Sequence, residues 1–459
     1  MNTPLSIDPR ATRIITTLLR AGYDACCVGG CVREHLRGVP GADTDVATNA
    51  SLTDIQRLFP DAIVVGKAFS VARVDGIEVA SFRQDGPYSD YRHPDYVRLV
   101  PTIMEDLSRR DFTINAMALR LDGTLIDPFG GMADVQARVV RFVGDAAARL
   151  REDPIRALRA CRFVGLIDGV LDDAARAAIV ALRALLAHVP RERIQYELNR
   201  MLLLEQRARA LFLLEELGLL PLVLPRLAAL VGVAQNVVHA EDCWTHTVLT
   251  VQHIGKRNLR LRLAALLHDI GKPRARTTDE RGADHFYGHE HLGVPLAQEE
   301  LRELRYSNAV NAYVTEAIRF HLHRMMFVPE MRDATIRRLM SSLTALPVRD
   351  LLRLQIADLR ANLRQPYNAG ELRALLRGAL RRIRAIEAQA HALKITDLAI
   401  DGDDVQRLLG VPPGPTVGAA LRHCFAHVLQ NPALNTRPAL AALLRGFQRA
   451  ASHNHGGRP

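Results

Sequence analysis

The 459-residue sequence holds a single tryptophan, only 5% aromatic residues, and no run of the roughly 18 apolar residues that a membrane-spanning helix requires. Its richest apolar stretch, LFLLEELGLLPLVLPRLAALVG, is interrupted by Glu215, Glu216 and Arg226. The N-terminal MNTPLSIDPRATRIITTLLR carries charges and no unbroken apolar core, so it does not read as a signal peptide. These absences predict a soluble cytoplasmic chain with no membrane partner. The six cysteines, Cys26, Cys27, Cys31, Cys161, Cys243 and Cys424, include no Cys-x-x-Cys pair and lack the regular spacing of a disulfide framework. Reduced, mostly buried thiols are expected. Acidic residues are the scarcer charge, 50 against 60 lysines and arginines, for a formal net charge of +10. Arginine is spread over most of the length, which suits a polyanionic partner such as nucleic acid, although a biased genome gives the same signal.

Apolar residues make up an ordinary 48%, and the length exceeds what one hydrophobic core accommodates, so several domains are expected. From Ala25 to about Phe129 the pattern is short and strand-like: DACCVGG, TDVAT, AIVVG, SVARV, IEVASF and AMALRLDGTLIDPF. In the last, Asp122-Gly123 between apolar segments is a two-residue hairpin signal. Helical periodicity here is confined to residues around 11–21, 32–37 and 52–59, which makes a small mixed head. Beyond Gly144 the texture turns to long Ala/Leu/Arg segments with three-to-four spacing, and an all-helical remainder is expected. Boundaries are expected at Pro221 to Pro225 with the following VGVAQNVVHAED, and at LRQPYNAGEL around Pro366. In LLGVPPGPTVGAAL a Pro/Gly turn opens a helix. The tail ASHNHGGRP is expected to be disordered, with too few histidines for a metal site.

Two features of the head carry chemistry. On a strand, Asp43 and Asp45 of DTDVAT project from one face, roughly 6 to 7 Å apart at Cα. That suits two divalent cations about 3.5–4 Å apart, the arrangement that serves phosphoryl-type transfer. Mg²⁺ fits, as a hard ion that takes few carboxylates and completes its shell with phosphates and water. Gly29-Gly30 then lets the backbone approach a triphosphate at a strand-to-helix turn, with the N–H groups of the following helix aimed at the anion and Arg33 adding charge. Glu78, on a later strand, either faces the same metals or is an exposed residue paired with a neighbouring arginine.

VGG followed by DTD resembles the active-site motif of the class II nucleotidyltransferases, which comprise bacterial tRNA CCA-adding enzymes and poly(A) polymerases. RRDFTIN (109–115), EDPIRALRACRF (152–163) and RERIQYEL (191–198) resemble that family's third, fourth and fifth motifs, in order. The resemblance implies an α+β chain: a small N-terminal nucleotidyltransferase head with a mixed β-sheet, then an extended all-α neck, HD and tail region. It places the head at 1–144, the neck at 145–235, an HD domain at 236–365 and a helical tail at 366–459. It implies Mg²⁺ on Asp43 and Asp45, and nucleotide contacts from Gly29, Gly30, Arg33, Arg110, Asp111, Asn115, Asp153, Arg156, Arg159 and Arg162. Asp111 is expected to orient its neighbours, with Arg109, Arg110 and Asp111 tying head to neck. Glu192 and Arg193 are expected to steady the fourth motif through an ion pair.

Asp153 and Arg156 are three residues apart and share a face on a helix. A carboxylate accepts from an exocyclic amine and a guanidinium donates to a ring nitrogen, so the pair accepts cytosine and adenine. Uracil and guanine leave buried polar groups unpaired. In the family these two positions act as a protein template. Capping is the alternative, because Asp153 precedes Pro154 as an N-cap precedes a proline at the first helical position; both roles are compatible.

FRQDGPYSDYRHP (82–94) resembles the flexible element of members that add A, and GKAFSVARV resembles the CCA-adding second motif. Ser70 stands where the family has Gly, and Glu34 where it has Asp. Further on, RLAALLHDIGKP presents His268-Asp269, and His246, His289, His321 and Asp358 follow the order of the HD phosphohydrolases, over roughly 241–363. Those six positions suit one or two divalent transition-type ions acting on a phosphoester. His285, His291 and His323 lie close enough to confuse the assignment. The expected activity is addition of C, C and A to tRNA from CTP and ATP without a nucleic-acid template, with a second phosphohydrolase activity open. The alternatives are a poly(A) polymerase or a partial CC- or A-adding enzyme, and, in another class, an RNA-binding protein with a silent head and a working HD domain.

Overall fold

The computed structural model describes residues 7–39, 44–65, 71–235, 241–255, 258–323, 331–362, 368–389 and 392–455. Asp43, Ser70 and Pro366 lie outside the described residues. The chain divides into two compact units, residues 1–228 with 303–305, and residues 229–302 with 306–459. No helix among the described residues is long and apolar enough to cross a membrane.

In the first unit, α1 (Pro9–Arg20) starts on Asp8, whose carboxylate accepts from the Arg10 N–H with proline at the first turn. It is followed by β1 (Ala25–Val28), α2 (Gly30–Leu36), β2 (Asp45–Thr48), α3 (Leu52–Leu58), β3 (Ile63–Val65), β4 (Val71–Val74) and β5 (Ile77–Ser81). Then come β6 (Arg83–Asp85), β7 (Val97–Leu99), α4 (Ile103–Ser108), β8 (Ala118–Leu119), β9 (Leu125–Ile126), α5 (Gly131–Ala137) and β10 (Val139–Val140). Seven strands form one mixed sheet in the order β3-β4-β5-β2-β1-β8-β9, and β6 pairs separately with β7. Cys26, Val28 and Ala47 from β1 and β2 meet Phe82 and Leu107 in its core. Strands rich in Val, Ile and Cys therefore pair where expected, but α4, α5 and the β6–β7 pair are additional to the sequence reading. The β8–β9 hairpin forms, with three residues, Leu121 to Gly123, between Arg120 and Thr124, whose main chains hydrogen-bond at 3.0 Å. Gly123 at φ +88° supplies the left-handed residue of that longer turn, so the two-residue loop is corrected.

The helical part of this unit is α6 (Ala146–Glu152), α7 (Arg156–Ile167), α8 (Asp173–Leu182), α9 (Arg191–Leu202), α10 (Arg207–Glu216) and α11 (Leu220–Val223). The region beyond Gly144 is not wholly helical, because β11 (Val170–Leu171) pairs in parallel with β10. Two residues are too few to leave an alternation in the sequence.

The second unit contains α12 (Cys243–His253), α13 (Leu259–Leu267), α14 (Lys272–Ala275), a hairpin of β12 (Thr277–Thr278) and β13 (Asp284–His285), α15 (His289–Glu303) and α16 (Asn308–Phe320). It continues with α17 (Asp333–Ser342), α18 (Val348–Ala361), α19 (Ala369–Gln389), α20 (Gly402–Leu409), α21 (Pro415–Gln430) and α22 (Arg437–His455). Helix α12 packs against α13 and α18, and α13 against α16, which draws four helix ends together. Asp401 and Asp404 form a reciprocal cap on α20, and Pro415 opens α21. The expected disorder of the tail is corrected over residues 451–455, which extend α22. Residues 451–455 contain no glycine or proline, and residues 456–459 lie outside the described residues.

Candidate active sites

Sheet register builds the first site. Val28, the last residue of β1, pairs with Asp45, the first of β2, so the Gly29-Gly30 turn leaves the sheet beside Asp45. Gly29 sits at φ +74°, where a side chain is strained, and a Cβ there meets the Arg110 guanidinium at 3.0 Å. Arg110 is held against the turn by Asp106, a carboxylate 1% exposed that also binds Arg109. Glu78 pairs with Asp45 across β5 and β2 and so faces the same side of the sheet, while its carboxylate lies 3.3 Å from Arg73. The pairing with a neighbouring arginine is therefore present, and the register leaves Glu78 beside Asp45. Asp43 lies outside the described residues. The hard carboxylate oxygens of Asp45 and its neighbour Glu78 suit a divalent ion of the Mg²⁺ type.

Arg33 is buried and turned inward, paired with Glu34 at 2.8 Å and with the Asn115 side chain. Glu34, the departure from the family pattern, also pairs with Arg37 at 2.7 Å. Asn115 donates to Asp111 at 3.2 Å, and Asp111 accepts from Arg159 of α7 at 2.7 Å. Arg162 completes the chain on Glu197 at 2.6 Å, with its guanidinium 4.2 Å from the centre of the Phe163 ring. Burial opposes the charge on Asp111, but Arg159 and Asn115 outweigh it and hold the carboxyl below its ordinary range. Of the three residues expected to tie head to neck, Asp111 does so, whereas Arg109 and Arg110 bind Asp106 within the head. Replacing Asp111 by alanine is expected to cost about 2 kcal/mol, discounted because Arg159 is about one-third exposed, and to lower the urea unfolding midpoint. The stabilisation is present above the ordinary carboxylate pKa and is lost as acid protonates Asp111. An unchanged midpoint contradicts this.

Asp153 and Arg156 do not share a helix face. Asp153 ends α6 at φ −150°, because the residue before proline is driven out of the helical region, and Arg156 opens α7. Asp153 is not the N-cap of α7 either, which is Ile155. Arg193 grips Asp153 through its two terminal guanidinium nitrogens at 3.0 and 2.7 Å, and Arg156 pairs with Glu152 and donates to the Arg149 carbonyl at 3.0 Å. Arg193 thus steadies the fourth motif as expected, but Glu192 does not take part and reaches Arg305 at 3.7 Å. Sequence reasoning missed Asp106, Glu152 and Glu197; Glu152, four residues before Arg156, and Asp106, three and four residues before Arg109 and Arg110, carried a spacing signal.

The second site gathers all six expected groups. His246 Nε2 lies 2.7 Å from Asp358, His268 Nε2 3.2 Å from Asp269, His289 Nε2 3.2 Å from Asp269, and His321 Nε2 3.1 Å from His289 Nε2. The donors fall into two trios, His246, His268 and Asp358, and Asp269, His289 and His321. His268, His289 and His321 each point Nδ1 at the carbonyl three residues earlier, at 2.6 to 2.8 Å, which turns Nε2 toward the cluster. Glu241 does the same for His246 Nδ1 at 3.2 Å. His268 Nε2 and Asp269 Oδ2 are buried and face one another at 3.2 Å, and the mixed nitrogen and oxygen donors fit a divalent transition-type ion. Burial works against charge on His268, yet Asp269 and Asp358 outweigh it and raise its pKa to about 10; burial, then the His268 charge, lowers His321 to about 3. His285, His291 and His323 stand outside the cluster, with His285 on Asp279 at 2.9 Å and His291 on Glu290 at 3.4 Å. Lys272, one helical turn after Asp269 and 2.7 Å from it, was missed although its spacing was readable. Gly271 admits the backbone of α15, since a Cβ there falls 2.1 Å from the His289 carbonyl.

The Poly A polymerase head domain family matches residues 25–141, the Probable RNA and SrmB- binding site of polymerase A residues 170–230, and the HD domain residues 238–350. An A-adding tRNA nucleotidyltransferase of Deinococcus radiodurans is 36% identical over 409 residues, 87% of this chain and 90% of that protein. The chain belongs to the class II tRNA nucleotidyltransferases, with an HD domain. It is a nucleotidyltransferase. The CCA-adding enzyme of Geobacillus stearothermophilus is 45% identical over 213 residues, 46% of this chain and 53% of that protein, so the match spans about half of that relative. The crystal structure of the Bacillus stearothermophilus CCA-adding enzyme in complex with CTP aligns over 98% of this nucleotidyltransferase and 100% of that chain, with a TM-score of 0.71 and 28% identity. Both the head and the HD families use divalent metal ions. Asp358 falls beyond the matched HD segment, and the fold still brings it to the cluster.

Proposed function

We propose that this nucleotidyltransferase adds C, C and A to the 3′ end of tRNA from CTP and ATP, in the cytoplasm and without a nucleic-acid template. The carrying observation is that one hydrogen-bonded chain, Arg33 to Asn115 to Asp111 to Arg159, links the Gly29-Gly30 turn beside Asp45 to the helix that begins with Arg156. Under this reading the division into head (1–144), neck (145–235), HD (236–365) and tail (366–459) follows the chemistry. Asp43 and Asp45 hold Mg²⁺, which when bound stabilises charge on the reacting phosphate and its leaving group. Gly29, Gly30 and Arg110 receive the triphosphate. The tRNA 3′-hydroxyl attacks the α-phosphate, the bond to the β-phosphate breaks, and pyrophosphate leaves. Arg33, Asn115, Asp111, Arg159 and Arg162 act behind the site, fixing the turn relative to α7.

Asp153 and Arg156 select the base. Arg193 and Glu152 hold them in place, and a cytosine or adenine edge takes up the remaining donor and acceptor positions. The basic helical surface grips tRNA through phosphates and shape, since A-form RNA hides its base edges. In the HD domain His246, His268, Asp269, His289, His321 and Asp358 hold a divalent transition-type ion for phosphoester hydrolysis.

A second reading, addition of the terminal A alone, is favoured by the Deinococcus radiodurans relative, which matches nearly the whole chain. A tRNA transcript ending at its discriminator base separates the two. Incorporation of two C from CTP supports CCA addition; no use of CTP, with A added only to a transcript already ending in CC, assigns the narrower activity.

A further inference from the structure

The HD cavity has a wall that the six ligating groups do not use. The cavity encloses about 470 Å³, the size of a small-molecule site and more than a phosphate alone occupies. On its rim, β13 carries His285, and Tyr287 follows two residues later. Their rings stack 5.4 Å apart and 7° from parallel, and Tyr287 is 83% exposed. The pair is braced from behind: His285 Nε2 lies 2.9 Å from Asp279, which accepts from the main-chain N–H groups of Arg281 and Ala283 at 2.9 Å. Between this surface and the ligating cluster, Lys272 lies 5.7 Å from the centre of the Phe286 ring. Gln235 Nε2 is buried in the lining without an acceptor.

A flat, braced aromatic face at the mouth of this cavity matches the π-face of a nucleobase, whereas a sugar phosphate has no π-face to stack on it. The unpaired amide donor of Gln235 and the cation of Lys272 suit ribose and phosphate oxygens deeper in. We propose that the stacked His285 and Tyr287 are a base-binding wall, so that the HD site takes a nucleoside phosphoester with its phosphate toward the cluster. The proposal rests on the HD cluster being a metal-dependent phosphoester site.

The test is equilibrium dialysis of the full chain loaded with Mn²⁺, with binding to the same chain carrying Asp269→Asn subtracted to remove the contribution of the head. The probes are adenosine 3′-monophosphate, ribose 5-phosphate and inorganic phosphate. The nucleotide is expected to bind roughly tenfold or more tighter than ribose 5-phosphate. Tyr287→Ala is expected to erase that difference, leave inorganic phosphate unchanged and, at so exposed a position, leave the fold intact; Tyr287→Phe keeps the difference. A 3′-phosphorylated dinucleotide tells an RNA end from a free nucleotide as the source, and preference for either over ribose phosphate supports the wall. Equal binding of nucleotide and ribose phosphate, or native nucleotide affinity in Tyr287→Ala, overturns the wall while metal-dependent phosphate binding still upholds the HD site. If phosphate binds equally with the metal removed, the HD site itself fails and the wall with it.

Discussion

Changing Asp45 to asparagine is expected to lower the rate of nucleotide transfer at least about 10³-fold, with folding unaffected. Asp45 opens β2 beside the Gly29-Gly30 turn and is only partly buried. Asparagine keeps the shape and removes the anion. A divalent ion at transferring phosphates contributes several kcal/mol of transition-state stabilisation, and each 1.4 kcal/mol is about tenfold in rate. Single-turnover addition to tRNA, with circular dichroism as the folding control, measures the effect. A loss smaller than tenfold contradicts the placement of the reacting phosphate at this end of the sheet.

The second large effect belongs to Asp269. Its Oδ1 faces His289 at 3.2 Å and His321 at 3.8 Å, and its Oδ2 faces His268 at 3.2 Å and Lys272 at 2.7 Å. The carboxylate thus joins both trios. Asp269→Ala is expected to reduce divalent-metal affinity at least about 10²-fold, since loss of even an outer partner of a ligand costs 10–100-fold. Because the substitution also leaves Lys272 buried without its anion, Asp269→Asn is the companion that keeps the volume and a hydrogen-bond acceptor. Metal content after dialysis is expected to fall in both variants, and addition of nucleotides to tRNA is expected to continue at the native rate. Undiminished metal content contradicts the ligand assignment, and lost addition contradicts the independence of the two chemistries.

What the sequence disclosed follows the range of the interactions. The turn and β1 were legible because Gly29-Gly30 ends an apolar run, and the six HD groups because their order along the chain survives folding. The parallel pairing of β2 with β5, which sets Glu78 beside Asp45, depends on a crossover that no local pattern records. Asp153 and Arg156 were placed on one helix from their spacing, but Pro154 between them splits the run into two helices, a rule present in the sequence and outweighed in the reading. Arg33 was assigned to the triphosphate by charge and position; burial and the pairing with Glu34 and Asn115 turn it inward. Glu197 was illegible because it meets Arg162 only after packing, whereas Asp106 lies within one helical turn of Arg109 and Arg110 and its spacing went unread. The β12–β13 hairpin was hidden by its two-residue strands, and with it the stacked His285 and Tyr287.

The central claim is that one pocket, framed by Asp45, the glycine turn and the Asp153/Arg156 pair, transfers nucleotides and accepts only C and A. The most direct measurement is gel-resolved extension of a tRNA transcript ending at its discriminator base, with Mg²⁺ and CTP, ATP, UTP or GTP supplied singly and together. The account predicts two C and one A, then a stop, with UTP and GTP incorporated at least about 10³-fold more slowly, because each leaves buried donors and acceptors unpaired. Comparable use of UTP or GTP, or a growing ladder of A, contradicts it.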